Sequence, residues 1–195
     1  MLTDWSIECG SDDPVLVVPW QAEGGAYPFV DLRLDPDAEV PEAETHPPLM
    51  QALRSLNAAR SPVFTAKCDT WAMTEEEIHP LRLELDFTEE DSAAGFASYI
   101  DLLFRDRAIF ASMHRQQQVV QRIARYAEKV DAPNAVLELT LRPALLDLTG
   151  PQEGFATTLY IKAIGADAGD AWQHWSRALS AAVAIFRNLE AAGTP

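Results

Sequence analysis

The stretch TEEDSAAGFASYIDLLFRDRAIFASMHRQQQVVQRIARYAEKV, residues 88–130, decides how the rest of the chain must be arranged. It contains no proline and reads as helix throughout. Thr88 stands as N-cap, and Glu89, Glu90 and Asp91 fill the first turn, where backbone N–H groups lack partners and the helix dipole is positive. Pro133 closes it. Unbroken, such a helix would run roughly 60 Å at ~1.5 Å per residue, whereas a compact chain of 195 residues is only about 42 Å across. The helix must therefore break or project. Phe96, Ile100 and Leu103 hold one apolar stripe, and the phase slips across Arg105, Asp106 and Arg107. It resumes as Ile109, Met113, Gln116, Val120, Ile123, Ala127 and Val130, which places a break near residues 105–107.

Upstream, residues 81–87 alternate cleanly, with Leu81, Leu83, Leu85 and Phe87 inward and Arg82, Glu84 and Asp86 outward. That is a strand with one buried face. Thr74 and Glu77 have capping-box spacing, but Pro80 limits any helix there to about a turn. Residues 63–73 form another strand, with Phe64, Ala66 and Cys68 on one side and Lys67, Asp69 and Trp71 on the other. Residues 45–60 form a helix opened by Pro47 and Pro48, which are tolerated where no N–H bond is needed. Before it come strands at 14–20 and 27–34 around a Gly24–Gly25 turn, then an acidic, proline-rich loop at 35–44. Residues 1–13 read as an acidic tail. Downstream, strands at 134–142 and 155–164 precede a final helix capped by Asp167 and reaching about residue 191.

The order ββα-ββα-ββα predicts an α+β, two-layer single domain: a six-stranded, mainly antiparallel sheet with the helices packed on one face. A hydrophobic fraction of 48% is enough for a globular core. The formal net charge of −15 opposes nucleic acid and anionic membrane surfaces as partners. No apolar run is long enough to span a bilayer, and the first residues lack a basic, then apolar, leader. Cys9 and Cys68 make no disulfide framework. A cytoplasmic protein with reduced thiols is expected.

The outward sheet face is the first candidate site. It gathers Asp31, Arg33, Lys67, Asp69, Trp71, Arg82, Glu84, Asp86, Glu138, Arg142, Tyr160 and Lys162. Trp71 and Tyr160 on a wet face suggest a binding surface, to which Lys67, Arg82, Arg142 and Lys162 would contribute. Asp69, Glu84 and Glu138 are the carboxylates available for acid–base work on a small anionic metabolite, since clustered carboxylates shift each other's pKa. The second candidate is the seam of Ile109, Met113, Gln116, Val120 and Ile123, which could pair two copies with Gln116 setting the register. The flanking Arg105, Arg107, Arg115, Arg122, Arg125 and Lys129 form the basic part of the chain. No GxSxG, Walker or GxGxxG motif is present, so no cofactor is expected. Glu75, Glu76, Glu77 and His79, or Glu42, Glu44 and His46, lack metal-site spacing, and no metal is expected. The reading is a non-catalytic binding or assembly domain acting as a homodimer, with the metabolite enzyme as the alternative.

Overall fold

The structure, a computed structural model, describes residues 1–20 and 29–189. The turn expected at Gly24–Gly25, the start of the strand expected at 27–34 and the end of the last helix fall outside them. The described residues fold as an α+β unit of six strands and five α-helices: β1 (Leu2–Ile7), β2 (Leu16–Val18), α1 (Pro47–Asn57), β3 (Val63–Ala72), α2 (Glu75–Glu84), β4 (Ala94–Phe104), α3 (Arg107–Phe110), α4 (Met113–Ala127), β5 (Ala135–Leu146), β6 (Gln152–Gly165) and α5 (Ala168–Arg187). The sheet runs β1-β5-β6-β4-β3, with β2 also paired to β5. Both β1 and β2 lie parallel to β5 and the other pairings are antiparallel, so the sheet is mixed. No described helix is long and apolar enough to cross a membrane.

The 88–130 conflict is resolved by a strand. Residues 94–104 form β4, a central strand flanked by β3 and β6 and buried on both sides, so the alternation that marks a half-exposed strand is missing. Phe96, Ile100 and Leu103 fit a helical period by coincidence. The break expected at 105–107 is where strand gives way to helix. Asp106 caps α3 by accepting from the N–H groups of Ala108 and Ile109, and Ser112 caps α4 by accepting from Arg115.

The 81–87 strand is absent, because this segment ends α2. The Thr74–Glu77 capping box is formed as its spacing predicts. The helix then continues through Pro80, which lacks the N–H that would bond Glu76 and clashes with its carbonyl, at about 3 kcal/mol. Burial of Ile78 and Leu81 against Met73, Ala97, Val136 and Ile164 offsets that cost. Ile78, Leu81 and Leu85 fit a helical stripe as well as Leu81 and Leu85 fit a strand. Leu83 separates the two, and it is 71% exposed. The helix ends in a Schellman motif: Phe87 N–H bonds the Arg82 carbonyl, Asp86 N–H bonds that of Leu83, and Asp86 sits at φ 58°.

Residues 1–13 are not a tail, since β1 pairs along β5 and Trp5 packs on the main core. Of its four carboxylates only Asp4 lies within the edge strand, where it is exposed, and Glu8, Asp12 and Asp13 follow the strand. Residues 29–34 form a turn, not a strand: Asp31 accepts from the backbone and guanidinium of Arg33. The expected ββα repeat is therefore replaced by this mixed order. The main core lies between the sheet and α1, α4 and α5, around Leu137, Leu139, Leu159, Ile161, Trp175 and Phe186. Not all helices share that face, because α2 packs on the opposite one. Gly95 allows the approach, as a Cβ there would lie 2.9 Å from Ile78.

Candidate functional site

On the sheet face away from α1, α4 and α5, two small apolar clusters leave a polar band between them. One is the α2 cluster just described. The other gathers Leu16, Val18, Phe64, Leu103, Phe110 and Ala156 at the far end. Across the band the register aligns Asp69, Tyr99, Tyr160, Glu138 and Asp4 in one row over five strands. The adjacent row holds Asp101, Thr158, Thr140 and Ser6.

A β-bulge between Thr65 and Cys68 tunes one edge of the band. Two residues, Ala66 and Lys67, oppose Asp101, and the extra residue reverses the side-chain phase. Lys67, Asp69 and Trp71 therefore point to the open face, as their alternation predicts. Phe64, before the bulge, also points there, contrary to its expected grouping with Cys68. Cys68 turns toward the main core. Burial, followed by the charges of Glu42, Asp69 and Asp101, pushes its thiol up to about 12.

The groups on the band are already joined to one another. Lys162 Nζ donates to both carboxylate oxygens of Glu138 at 2.8 Å. Arg142 Nε donates to Glu8 at 2.9 Å, and its terminal nitrogen to the Tyr160 hydroxyl at 3.2 Å. The Tyr99 and Tyr160 rings lie 6.0 Å apart. Trp71 Nε1 donates to Glu77 at 3.0 Å, tying the band to α2. Lys67 lies over the Trp20 ring at 5.2 Å.

Asp101 is the deepest charged group of the band, at 6% exposure. It accepts from Thr158 Oγ1 at 2.6 Å. Burial raises its pKa above the ordinary aspartate value, while the Thr158 hydrogen bond, Arg142 and Lys67 pull the other way. Burial also raises the Tyr99 pKa, with Asp101 and Asp69 adding to it. The band thus joins a desolvated carboxyl, two phenols and three cations, and the one hydroxyl bonded to that carboxyl is Thr158.

Of the residues expected on this face, Lys67, Asp69, Trp71, Glu138, Arg142, Tyr160 and Lys162 lie on it. Arg82 and Glu84 do not. Arg82 is buried on α2, where it holds Glu75 at 2.8 Å and the Ser92 carbonyl at 2.8 Å. Glu84 is exposed at the end of that helix. Asp31 and Arg33 pair with each other in their turn at 2.6 Å. The Ile109 seam is mostly core: Gln116, Val120 and Ile123 are wholly buried, Ile109 is half-buried, and only Met113 is exposed. Gln116 donates to the Phe155 carbonyl at 2.6 Å and accepts from Thr157 at 3.2 Å. Its role is to satisfy strand β6, and it is not available to a second copy. Tyr99, Asp101 and Glu8 were missed, two of them because β4 read as helix. The one local trace of a strand is Tyr99-Ile100-Asp101, three residues too short to outweigh the helical spacing of Phe96, Ile100 and Leu103.

No family model, curated protein or solved structure matches this chain.

Proposed function

We propose that the chain is a non-catalytic binding domain whose open sheet face recognises a protein partner. One observation carries the reading: the band is a pre-paired polar surface, with half-exposed Trp71, Tyr99 and Tyr160 set among hydrogen-bonded charges. Rigid aromatics with polar tips are the side chains that anchor protein interfaces, and groups held in place before contact lose little entropy on binding. Arg142 and Lys162 are already neutralised by Glu8 and Glu138, so they would have to abandon partners to hold a small anion. Two unpaired cysteines fit the cytoplasmic setting expected from the sequence.

Photo-crosslinking in cells tests this reading. Benzoylphenylalanine placed at Trp71 or Tyr160 should trap a discrete protein, and Glu138→Arg should abolish the adduct. Trapping only from a control position on the helical side, such as Ser180, would refute it. The alternative, an enzyme acting on a small anionic metabolite, is favoured by Asp101 beside Lys67 and Arg142. Its acid–base group would then be Asp101 and not Asp69, Glu84 or Glu138. A metabolite that raises the melting temperature of the wild type but not of Asp101→Asn would support it.

A further inference from the structure

A second surface lies beyond the sheet. Arg60 follows α1, Arg105 and Arg107 follow β4, and Arg115, Arg122 and Arg125 ride on α4. None of these six forms an ion pair with another described residue. That is unexpected in a chain with 30 carboxylates and only 15 Lys and Arg. Arg60, Arg105 and Arg122 rim a groove of about 810 Å³. Its floor is apolar, with Phe104, Val119 and Leu189 at 3%, 9% and 5% exposure. The one carboxylate lining it, Asp106, is committed to capping α3. The buried Nε of Arg122 has no hydrogen-bond partner.

The chain carries a segment of the complementary kind. Leu34, at 84%, is the most exposed of the described large apolar side chains, and Asp35, Asp37 and Glu39 follow it, all exposed. The turn that presents it is fixed in advance, since Leu34 and Asp35 N–H groups both donate to the Asp31 carbonyl, at 3.0 and 3.1 Å. Its root stands at the rim of the groove. The guanidiniums of Arg33 and Arg105 lie 3.9 and 6.0 Å from the centre of the same Phe64 ring. This acidic apolar knob does not fill the basic apolar groove beside it, since Leu34 is 84% exposed. Under a two-fold axis, however, two copies can fill each other's.

We propose that two copies pair reciprocally, residues 34–39 of each lying in the arginine groove of the other. Neither the groove nor residues 34–39 includes a residue of the polar band. Opposite charge at an exposed rim supplies attraction that salt screens, while Leu34 entering the apolar floor supplies the part that salt does not weaken. Sedimentation velocity over a concentration series is the test. The wild type should associate, more tightly at low salt. Asp35→Lys with Asp37→Lys, Arg60→Glu with Arg122→Glu, and Leu34→Ser should each weaken the dimer about tenfold or more. A chain carrying both charge reversals should regain it, and Tyr160→Arg should leave it intact. A monomer at every concentration, or a dimer indifferent to all three changes, would overturn the proposal. So would a dimer lost only on Tyr160→Arg, which would move self-association to the sheet face.

Discussion

Leu81 and Leu83 distinguish two readings of the same seven residues. If 81–87 were a strand, both leucines would face the core and truncating either would cost the same. In the structure Leu81 is 4% exposed and Leu83 71% exposed. Leu81→Ala removes three carbons from the cluster of Ile78, Ala97, Val136 and Ile164. At about 0.8 kcal/mol per buried methylene this is ~2.4 kcal/mol of transfer energy, before a cavity contribution. The cluster is small, with six buried residues, and can partly collapse, so a total of about 2.5–3 kcal/mol is expected. Leu83→Ala replaces a mostly hydrated side chain by the best helix former and should stay within about 0.5 kcal/mol. For a chain of this size, about 2–4 °C is lost per kcal/mol. Leu81→Ala should therefore melt roughly 5–12 °C below the wild type, and Leu83→Ala within about 2 °C of it. Circular dichroism melts and urea midpoints measure both. Equal losses, or a larger loss at Leu83, would refute the assignment of α2 and the corrected shape of the open face with it.

Other outcomes follow from the same geometry. The Asp101 carboxyl binds its proton more tightly folded than unfolded, because burial raises its pKa. The folded state therefore holds the extra proton from the ordinary aspartate range up to the raised value. Stability from this group falls as pH rises through that window and stays reduced above it. Asp101→Asn keeps an acceptor for Thr158, so it should raise the melting temperature at neutral pH and leave it unchanged near pH 3. A destabilised variant at neutral pH would contradict the burial argument. Gln116→Leu leaves the Phe155 carbonyl and Thr157 hydroxyl without their partner. It should cost about 1–3 kcal/mol by urea denaturation without altering the oligomeric state, whereas a change in oligomer alone would reinstate the helix seam as an interface. In a thiol titration of the native protein, exposed Cys9 should react much faster than half-buried Cys68, whose thiol is pushed up to about 12 by burial. Equal native rates would place Cys68 outside the core.

Period two was readable where one face of a strand is wet. In β5, Leu137, Leu139 and Leu141 are buried while Glu138 and Arg142 reach the open face, and β6 behaves likewise. It failed in β4, where neighbours on both sides and cover on both faces erase the contrast between alternate residues. It failed differently at 81–87, where steps of three and then four from Ile78 reach Leu81 and Leu85, two residues that a period of two also joins. The Asp86 cap was the local sign of a helix end, since aspartate tolerates the left-handed region better than most residues. Composition misled at 1–13, where four carboxylates concealed an edge strand.

The site suffered from the loss of β4 more than from any single wrong phase. Its residues come from β1, β3, β5, β6 and β4 together, so the omission of β4 separated Asp69 from Tyr160 and removed Asp101 altogether. Alternation along one strand names a face, but only strand order says which residues meet across it. Glu138, Tyr160 and Tyr99 became neighbours because β6 runs between β5 and β4, an adjacency that no spacing along the chain encodes. The bulge at Ala66–Lys67 is a further step beyond pattern: one inserted residue turns Lys67 toward Asp101 and Cys68 away from it. A sheet surface is a property of pairing, and here pairing is what sets a buried carboxyl, two phenols and three cations side by side.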